Sequence, residues 1–266
     1  MPTPSDAELR HWLEVALACC DAADEIALAS FRSALDVTRK ADQSLVTAAD
    51  RAIEQLIRDQ IARRFPDHGL VGEEHGSERL GAAARWYIDP IDATHNFVRG
   101  IPIFATLVAV EVAGELQLGV VSAPALGSRW FAWRGGGAWK GRSPAGAQRI
   151  RVSTVDRLEE AQLLYRSLRN MRATSAAAGF ERLVGRVQRD RGFGDFWGYM
   201  LVAEGAAEAM IESDVDPWDL AAPHLIVQEA GGRCTDFEGQ LAIDTGDSLA
   251  SNGRLHEALL AELRPA

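Results

Sequence analysis

The chain has 266 residues, of which 47% are hydrophobic and 25% charged. This composition matches folded globular proteins and excludes disordered, collagen-like and coiled-coil chains. Since 28 Lys and Arg oppose 38 Asp and Glu, the net charge is −10, and a general attraction to nucleic acid or anionic lipid is not expected.

Three cysteines, two of them adjacent at Cys19 and Cys20, do not form the even set typical of secreted disulfide scaffolds. The first residues carry Asp6 and Glu8 where a signal peptide carries positive charge. The most apolar run covers only 101–110, well short of the roughly 20 residues that a spanning helix needs. We therefore expect a cytoplasmic protein that does not cross a membrane.

Two amphipathic helices are predicted at the start of the chain. Apolar residues recur at helical spacing from Ser5 to Phe31, and Ser5 is a suitable N-cap. Thr47 as N-cap and Asp50 three residues later predict a second helix, which stops at Pro66.

After residue 69 the chain changes to short strand-like runs separated by Gly and Pro. The predicted strands are 69–72, 85–88, 103–112, 116–123 and 129–133, with a hairpin turn at 113–115. Glycine clusters at 135–137 and 141–146 predict loops. Beyond them we predict helices at 174–189, 196–204, 217–230 and after 253, and a strand at 209–212. Alternating blocks of helices and strands indicate a layered α/β or α+β fold.

The most informative motif is a strand that ends in two aspartates, Asp89 and Asp92, separated by a proline and Ile91. Because the proline fixes its own φ, this turn can direct both carboxylates and the Ile91 carbonyl to one point, where hard oxygen ligands favour Mg²⁺. Thr94 is predicted to cap a short helix whose first amides, at Ala93 and Thr94, face an anion such as phosphate. The alternative is an ordinary turn followed by a helix cap.

Two further acidic segments add to this motif. Glu73 and Glu74 lie in a glycine-flanked loop, where paired carboxylates repel unless a cation lies between them. Asp219 lies in the first turn of a predicted apolar helix that follows Asp216. The alternatives are an exposed polar loop for the first segment and a favourable helix-dipole interaction for the second.

These three segments, in this order and spacing, resemble the Mg²⁺-dependent, lithium-sensitive inositol monophosphatase family, and the resemblance runs from about Lys40 to Gly232. It implies an αβαβα sandwich, a homodimer, two or three Mg²⁺ ions per subunit and hydrolysis of small phosphate monoesters by water. The site residues that it implies are the metal ligands Glu73, Asp89, Ile91 (by its carbonyl), Asp92 and Asp219, the catalytic residues Glu73 and Thr94, the phosphate-binding residues Ala93 and Thr94, the substrate-binding residues Asp195 and Glu212, and the supporting residues Lys40 and Asp50.

One position departs from the family pattern, because Ala93 stands where the family usually has glycine. Glycine permits a positive φ and a close approach of the backbone to a ligand. If Ala93 has a negative φ, the phosphate site remains intact. If the family backbone needs a positive φ there, the loop shifts and activity comes into doubt.

We expect residues 1–266 to form one domain of this family. If the glycine-rich stretch at 141–146 is a boundary, the domain divides into two lobes. Residues 1–145 then carry most of the metal site, and residues 146–266 contribute Asp219 and the substrate contacts.

Within the family the chain looks closest to the histidinol-phosphatase type, on the segments 92–102 and 194–199. This type hydrolyses L-histidinol phosphate in histidine biosynthesis. Glu212, with Asp214 and Asp216 near it, predicts an acidic wall for the cationic amine of histidinol, and the alternative is that these acids are solvated turn residues. The closest enzymatic alternative is an inositol-1-monophosphatase or broad small-molecule phosphatase.

An alternative of another class is an RNA- or transcription-associated binding protein of the same family. The acidic balance opposes it, and seven arginines between residues 163 and 191 keep it open. Those arginines predict either a solvated helix face or an electropositive rim that attracts an anionic substrate.

Overall fold

The computed structural model describes residues 4–33, 37–39 and 45–264. The helices of these residues are α1 (Asp6–Ser30), α2 (Ala48–Arg64), α3 (Thr94–Val98), α4 (Leu168–Arg172), α5 (Ala177–Arg186), α6 (Asp195–Ala203), α7 (Pro217–Glu229) and α8 (His256–Leu263). The strands are β1 (Val37–Arg39), β2 (Leu45–Thr47), β3 (Gly69–Gly72), β4 (Gly76–Glu78), β5 (Ala84–Asp92), β6 (Ala105–Val112), β7 (Glu115–Ala123), β8 (Ser128–Trp133), β9 (Gly137–Lys140), β10 (Gln148–Ile150), β11 (Gln162–Tyr165), β12 (Arg189–Arg191), β13 (Ala209–Ser213), β14 (Arg233–Thr235) and β15 (Asp247–Ser251).

Capping boxes start the two N-terminal helices, as their sequences predict. The Ser5 side chain accepts from the Glu8 amide, and the Glu8 carboxylate accepts from the Ser5 amide at 2.8 Å. The same reciprocal pair joins Thr47 and Asp50 at the start of α2. Because these bonds satisfy amides that have no partner within the helix, the predicted starts of both helices are confirmed.

Two large sheets and a two-stranded antiparallel sheet, β1–β2, organise the strands. The first sheet has the order β10-β9-β8-β7-β6-β5-β3-β4, and the β3–β5 pair in it is parallel while its other pairs are antiparallel. The second has the order β12-β11-β13-β15-β14, in which β12, β11 and β13 run parallel. The parallel pairs place the ends of β3 and β5 at one edge of the first sheet, and the ends of β11 and β13 at one edge of the second.

Five layers result from the packing of helices on both sheets. One apolar cluster joins α1 and α2 to the outer face of the first sheet. A second joins α6 and α7 to the inner faces of both sheets, and a third joins α5 and α8 to the outer face of the second sheet. Gly119 in β7 lets the α7 backbone approach closely, since a Cβ there would lie 2.8 Å from the Ala222 carbonyl oxygen. The predicted αβαβα sandwich is confirmed.

The second half of the chain departs most from the sequence prediction. The helix predicted at 174–189 is shorter, since α5 covers Ala177–Arg186 and the arginines after it enter β12. Besides β1, β2 and β4 in the first half, six strands from β9 onward were not predicted, namely β9, β10, β11, β12, β14 and β15. These strands have three to five residues each, too few for a period-2 pattern to stand out. Neighbouring strands and the α6–α7 layer define them instead.

Candidate active site

A bulge at the end of β5 brings Asp89 and Asp92 to the same side of the sheet. Residues three apart on a regular strand face opposite sides. Here Asp89 pairs with Leu107 and Asp92 with Ala105, so β5 contains one residue more than its partner strand over this interval. The extra residue reverses the alternation, and both carboxylates reach one cleft.

Asp219 completes a group of three carboxylates. It lies in the first turn of α7, and one oxygen atom from each of Asp89, Asp92 and Asp219 lies within 4.8 Å of the others. The Phe196 amide donates to Asp92 Oδ2 at 2.7 Å, and the Asp216 amide donates to Asp219 Oδ2 at 2.9 Å. A backbone amide of α6 fixes Asp92, and the amide of the residue that caps α7 fixes Asp219.

The electrostatics of this group favour a cation. Burial raises the pKa of Asp89 well above the ordinary value of an aspartate, and the negative charges of Glu73 and Asp92 raise it further. Burial also raises the pKa of Asp219 to about 6. Asp89 Oδ1 is buried and makes no hydrogen bond to the described part of the chain. Converging hard oxygen donors with an unsatisfied buried oxygen among them fit a divalent cation such as Mg²⁺.

Glu73 and Ile91 line the same cleft as these three aspartates. Glu73 follows β3, and its amide donates to the Ile88 carbonyl oxygen at 3.3 Å. Because β3 runs parallel to β5, the loop after β3 and the bulge of β5 meet at one edge of the sheet. The sheet topology thus brings the acidic loop predicted from sequence to the Asp89–Asp92 turn.

Ala93 adopts the left-handed conformation that usually favours glycine, with φ 65° and ψ 45°. It is also the N-cap residue of α3, and its carbonyl oxygen accepts from the amides of Asn96 and Phe97. The prediction that Thr94 caps this helix is therefore wrong, since Thr94 is the first helical residue. The loop keeps a positive φ with alanine in place, at the cost of backbone strain.

The Thr94 hydroxyl lies between two acceptors at the edge of the cleft. Its oxygen is 3.0 Å from the Ile91 carbonyl oxygen and 3.4 Å from Asp50 Oδ1, and its single proton is donated to one of them at a time. The other Asp50 oxygen accepts from the Thr47 amide in the capping box of α2. Helix α2 therefore fixes Asp50, which in turn orients Thr94.

An arginine lies at the centre of a second group of acids in the cleft. Arg166 Nη2 donates to the Asp214 carbonyl oxygen at 2.7 Å, and Nε lies 3.4 Å from Glu212 Oε1. Arg166 Nη1 lies 4.0 Å from Asp195 Oδ1. Glu212 is only 2% exposed, and burial raises its pKa to about 8. Glu212 thus lies behind Arg166, whereas Asp195 lines the cleft.

The cleft has a volume of about 840 Å³ and collects most of the residues singled out in the sequence. The predicted site residues that line it are Glu73, Asp89, Ile91, Asp92, Ala93, Thr94, Asp195 and Asp219. Asp50 and Glu212 are buried behind it, and Lys40 lies outside the described residues.

Sequence reasoning missed Arg166 as a site residue. It directly follows β11, whose parallel neighbour β13 carries Glu212 near its end. Recognising β11 would have placed both residues at one sheet edge. Of the other arginines in this stretch, Arg169 lines the cleft, and Arg189 and Arg191 lie in β12. Surface ion pairs with acids of α5, α8 and the segment before β11 are formed by Arg172, Arg182 and Arg186.

None of the helices within residues 4–33, 37–39 and 45–264 has both the length and the apolar character of a membrane span.

Comparisons with known proteins agree with the fold. The model of the inositol monophosphatase family matches residues 8–266. The chain is 43% identical to the histidinol-phosphatase of Streptomyces coelicolor, covering 94% of this chain and 96% of the relative, and 43% identical to that of Mycobacterium tuberculosis, covering 94% and 97%. The crystal structure of the extragenic suppressor protein SuhB of Bartonella henselae superposes with a TM-score of 0.86 at 27% identity, covering 96% of this chain and 98% of that one. The chain therefore belongs to the inositol monophosphatase family and is a phosphoric monoester hydrolase.

Proposed function

We propose that the protein is a Mg²⁺-dependent histidinol-phosphatase, which hydrolyses L-histidinol phosphate to L-histidinol and phosphate. The observation that carries the proposal is a cleft with two chemically distinct walls. The Asp89, Asp92 and Asp219 carboxylates converge within 4.8 Å on one wall, and Asp195 and Asp214 line the other. Similarity to two histidinol-phosphatases over 94% of the chain supports this substrate.

The first wall suits the phosphate end of the substrate. Glu73, Asp89, Asp92, Asp219 and the Ile91 carbonyl would hold two or three Mg²⁺ ions. When bound, these ions supply positive charge that offsets the phosphate dianion and makes water more acidic. The amides of Ala93 and Thr94, at the start of α3, would bind the phosphate oxygens.

Proton transfer falls to side chains beside the phosphate. Since the Thr94 hydroxyl donates to Asp50 or to the Ile91 carbonyl, its oxygen lone pairs remain to accept a hydrogen bond from the attacking water. Glu73 would take the proton of that water as it attacks phosphorus. The bond between phosphorus and the substrate oxygen breaks, the departing oxygen takes up a proton from solvent to give L-histidinol, and Glu73 returns its proton to solvent. No protein nucleophile is needed.

The second wall suits a cationic amine. Asp195 and Asp214 lie there beside Arg166, Arg169 lines the cleft with them, and the buried Glu212 lies behind Arg166. Asp195 would accept a charge-assisted hydrogen bond from the substrate ammonium. Glu212 would contribute by helping to position Arg166, whose Nε lies 3.4 Å from its Oε1.

We further propose a homodimer that acts in the cytoplasm. The three cysteines are free and buried, and free thiols fit a reducing compartment. Size-exclusion chromatography with light scattering would measure the number of subunits.

Phosphate release by metal-stripped protein tests the proposed chemistry. We expect no release from phosphomonoesters in excess EDTA, and full release when Mg²⁺ is restored. Asp219→Asn should lose the Mg²⁺-dependent activity, because it removes one of the three converging charges. Wild-type activity that persists in EDTA would exclude the metal mechanism.

A further inference from the structure

One face of α2 continues beyond Asp50 with two more charged residues at helical spacing. Glu54 and Arg58 follow Asp50 at intervals of four residues, so all three lie on the same side of the helix. Ile53 and Ile57 face the first apolar core instead. The charged residues Glu54 and Arg58 are nevertheless buried, since Glu54 is 0% and Arg58 4% exposed. The charged face is therefore covered, and what covers it is the loop that carries Glu73.

Glu54 binds this loop through its backbone. Glu54 Oε2 accepts from the Glu74 amide at 2.6 Å, and Oε1 accepts from the His75 amide at 3.1 Å. Arg58 Nη1 donates to Glu54 Oε1 at 3.0 Å and to the Gly76 carbonyl oxygen at 2.9 Å. The two residues directly after Glu73 are thus tied to one buried carboxylate by charge-assisted hydrogen bonds.

Gly72 makes this approach possible. A Cβ at Gly72 would lie 2.1 Å from Glu54 Oε1 and 2.5 Å from Cδ, far closer than two such atoms can come. Any side chain at this position would push the carboxylate away from the loop amides. Gly72, which directly precedes Glu73, therefore leaves the space in which the Glu54 carboxylate binds the two amides that follow Glu73.

We propose that Glu54 is a positioning residue for the metal site: by holding the amides of Glu74 and His75, it fixes the Glu73 carboxylate relative to Asp89 and so sets the affinity for Mg²⁺. This inference rests on the proposed function, in which Glu73 is a metal ligand. A loop without such a tie would need to be ordered when the ion binds. Loss of groups that orient metal ligands typically lowers metal affinity about 10- to 100-fold.

Two variants remove the tie in independent ways. In Glu54→Gln, one carboxylate oxygen is replaced by an NH2 group, which is a donor. Because the partners of both Glu54 oxygens are also donors, at least one of these hydrogen bonds is lost. Gly72→Ala leaves Glu54 unchanged but displaces it from the loop. Glu78→Gln is the matched control, since Glu78 accepts from Arg58 Nη2 at 2.7 Å but makes no bond to these two loop amides.

Three measurements apply to each variant: hydrogen–deuterium exchange of residues 73–78 in the metal-free protein, the rise in melting temperature on adding Mg²⁺, and the Mg²⁺ concentration for half-maximal phosphatase activity. We expect Glu54→Gln and Gly72→Ala to exchange faster in this segment and to need about tenfold more Mg²⁺ or more. The activity at saturating Mg²⁺ and the KM for substrate should change less than threefold, while the control stays at wild-type values.

A merely structural role of Glu54 would lower the melting temperature and leave the Mg²⁺ midpoint unchanged. That result in either folded variant would overturn the proposal, as would unchanged exchange of the loop. If instead the wild-type protein works without Mg²⁺, the proposed function fails, and the exchange data on metal-free protein still decide whether Glu54 holds the loop. If Glu54→Gln does not fold, Gly72→Ala decides the question alone.

Discussion

Replacing Ala93 with glycine should stabilise the protein. Ala93 has φ 65° in the turn that joins β5 to α3, and an L-residue pays about 1 to 2 kcal/mol for this conformation. Glycine removes that cost but gives the unfolded chain more freedom, which offsets about 0.4 to 1 kcal/mol. The expected net gain is about 0.5 to 1 kcal/mol in the free energy of unfolding, or roughly 1 to 3 °C in melting temperature.

Thermal and denaturant unfolding of metal-free protein would measure this gain, with Ala93→Val as the opposite perturbation. Valine is β-branched and tolerates a positive φ poorly, so it should lower the melting temperature. Turnover of the glycine variant should stay within about tenfold of wild type, a barrier change under about 1.4 kcal/mol, because the backbone conformation already exists with alanine. A glycine variant that is less stable than wild type, or a hundredfold more active, would refute the reasoning.

Three further predictions concern the charges of the cleft. Asp92→Asn should abolish Mg²⁺-dependent phosphate release yet fold normally in circular dichroism, because it relieves repulsion among buried acids. Burial raises the pKa of Asp219 to about 6 and that of Glu212 to about 8, so the folded metal-free protein binds more protons than the unfolded chain between about pH 4 and 8. The stability from these groups is fully present below pH 4 and is lost as the pH rises through 6 and 8. Urea titrations should therefore show a larger gain from Mg²⁺ at pH 8 than at pH 5, and an equal gain would contradict this. Asp195→Asn removes the charge but keeps a residue type that tolerates the φ of 58° at this position. It should lower kcat/KM for L-histidinol phosphate, with a rise of about 1.5 to 3 kcal/mol in the corresponding activation barrier, and it should affect inositol 1-phosphate less. Equal losses would show that Asp195 does not select for charge.

The local sequence was sufficient for the starts of the two N-terminal helices, although it assigned the cap of α3 to Thr94 instead of Ala93. The capping boxes at Ser5 and Thr47 start α1 and α2 as predicted, because these bonds span only three residues. Asp89 and Asp92 could be grouped for a similar reason, since they share one turn. The addition of Glu73 and Asp219 to that group came from the resemblance to a family, because their proximity depends on the order of the strands and on the place of α7.

Features that depend on packing could not be predicted in this way. The bulge in β5 is defined by the register of β5 with β6. No local sequence pattern predicts the extra residue in β5. Arg166 was missed because β11, at four residues, is too short to be recognised without its neighbours. Glu54 and Arg58 are typical of an exposed helix face in the sequence, and only the loop over them shows that both are buried.

The two groups of acids in this cleft should together select a phosphate monoester with a cationic organic part. The most direct test compares kcat/KM for L-histidinol phosphate and inositol 1-phosphate on one preparation of wild-type protein at saturating Mg²⁺. A charge-assisted hydrogen bond at Asp195, worth about 1.5 kcal/mol or more, predicts a preference of about tenfold or more for L-histidinol phosphate. An equal or higher kcat/KM for inositol 1-phosphate would contradict the assignment.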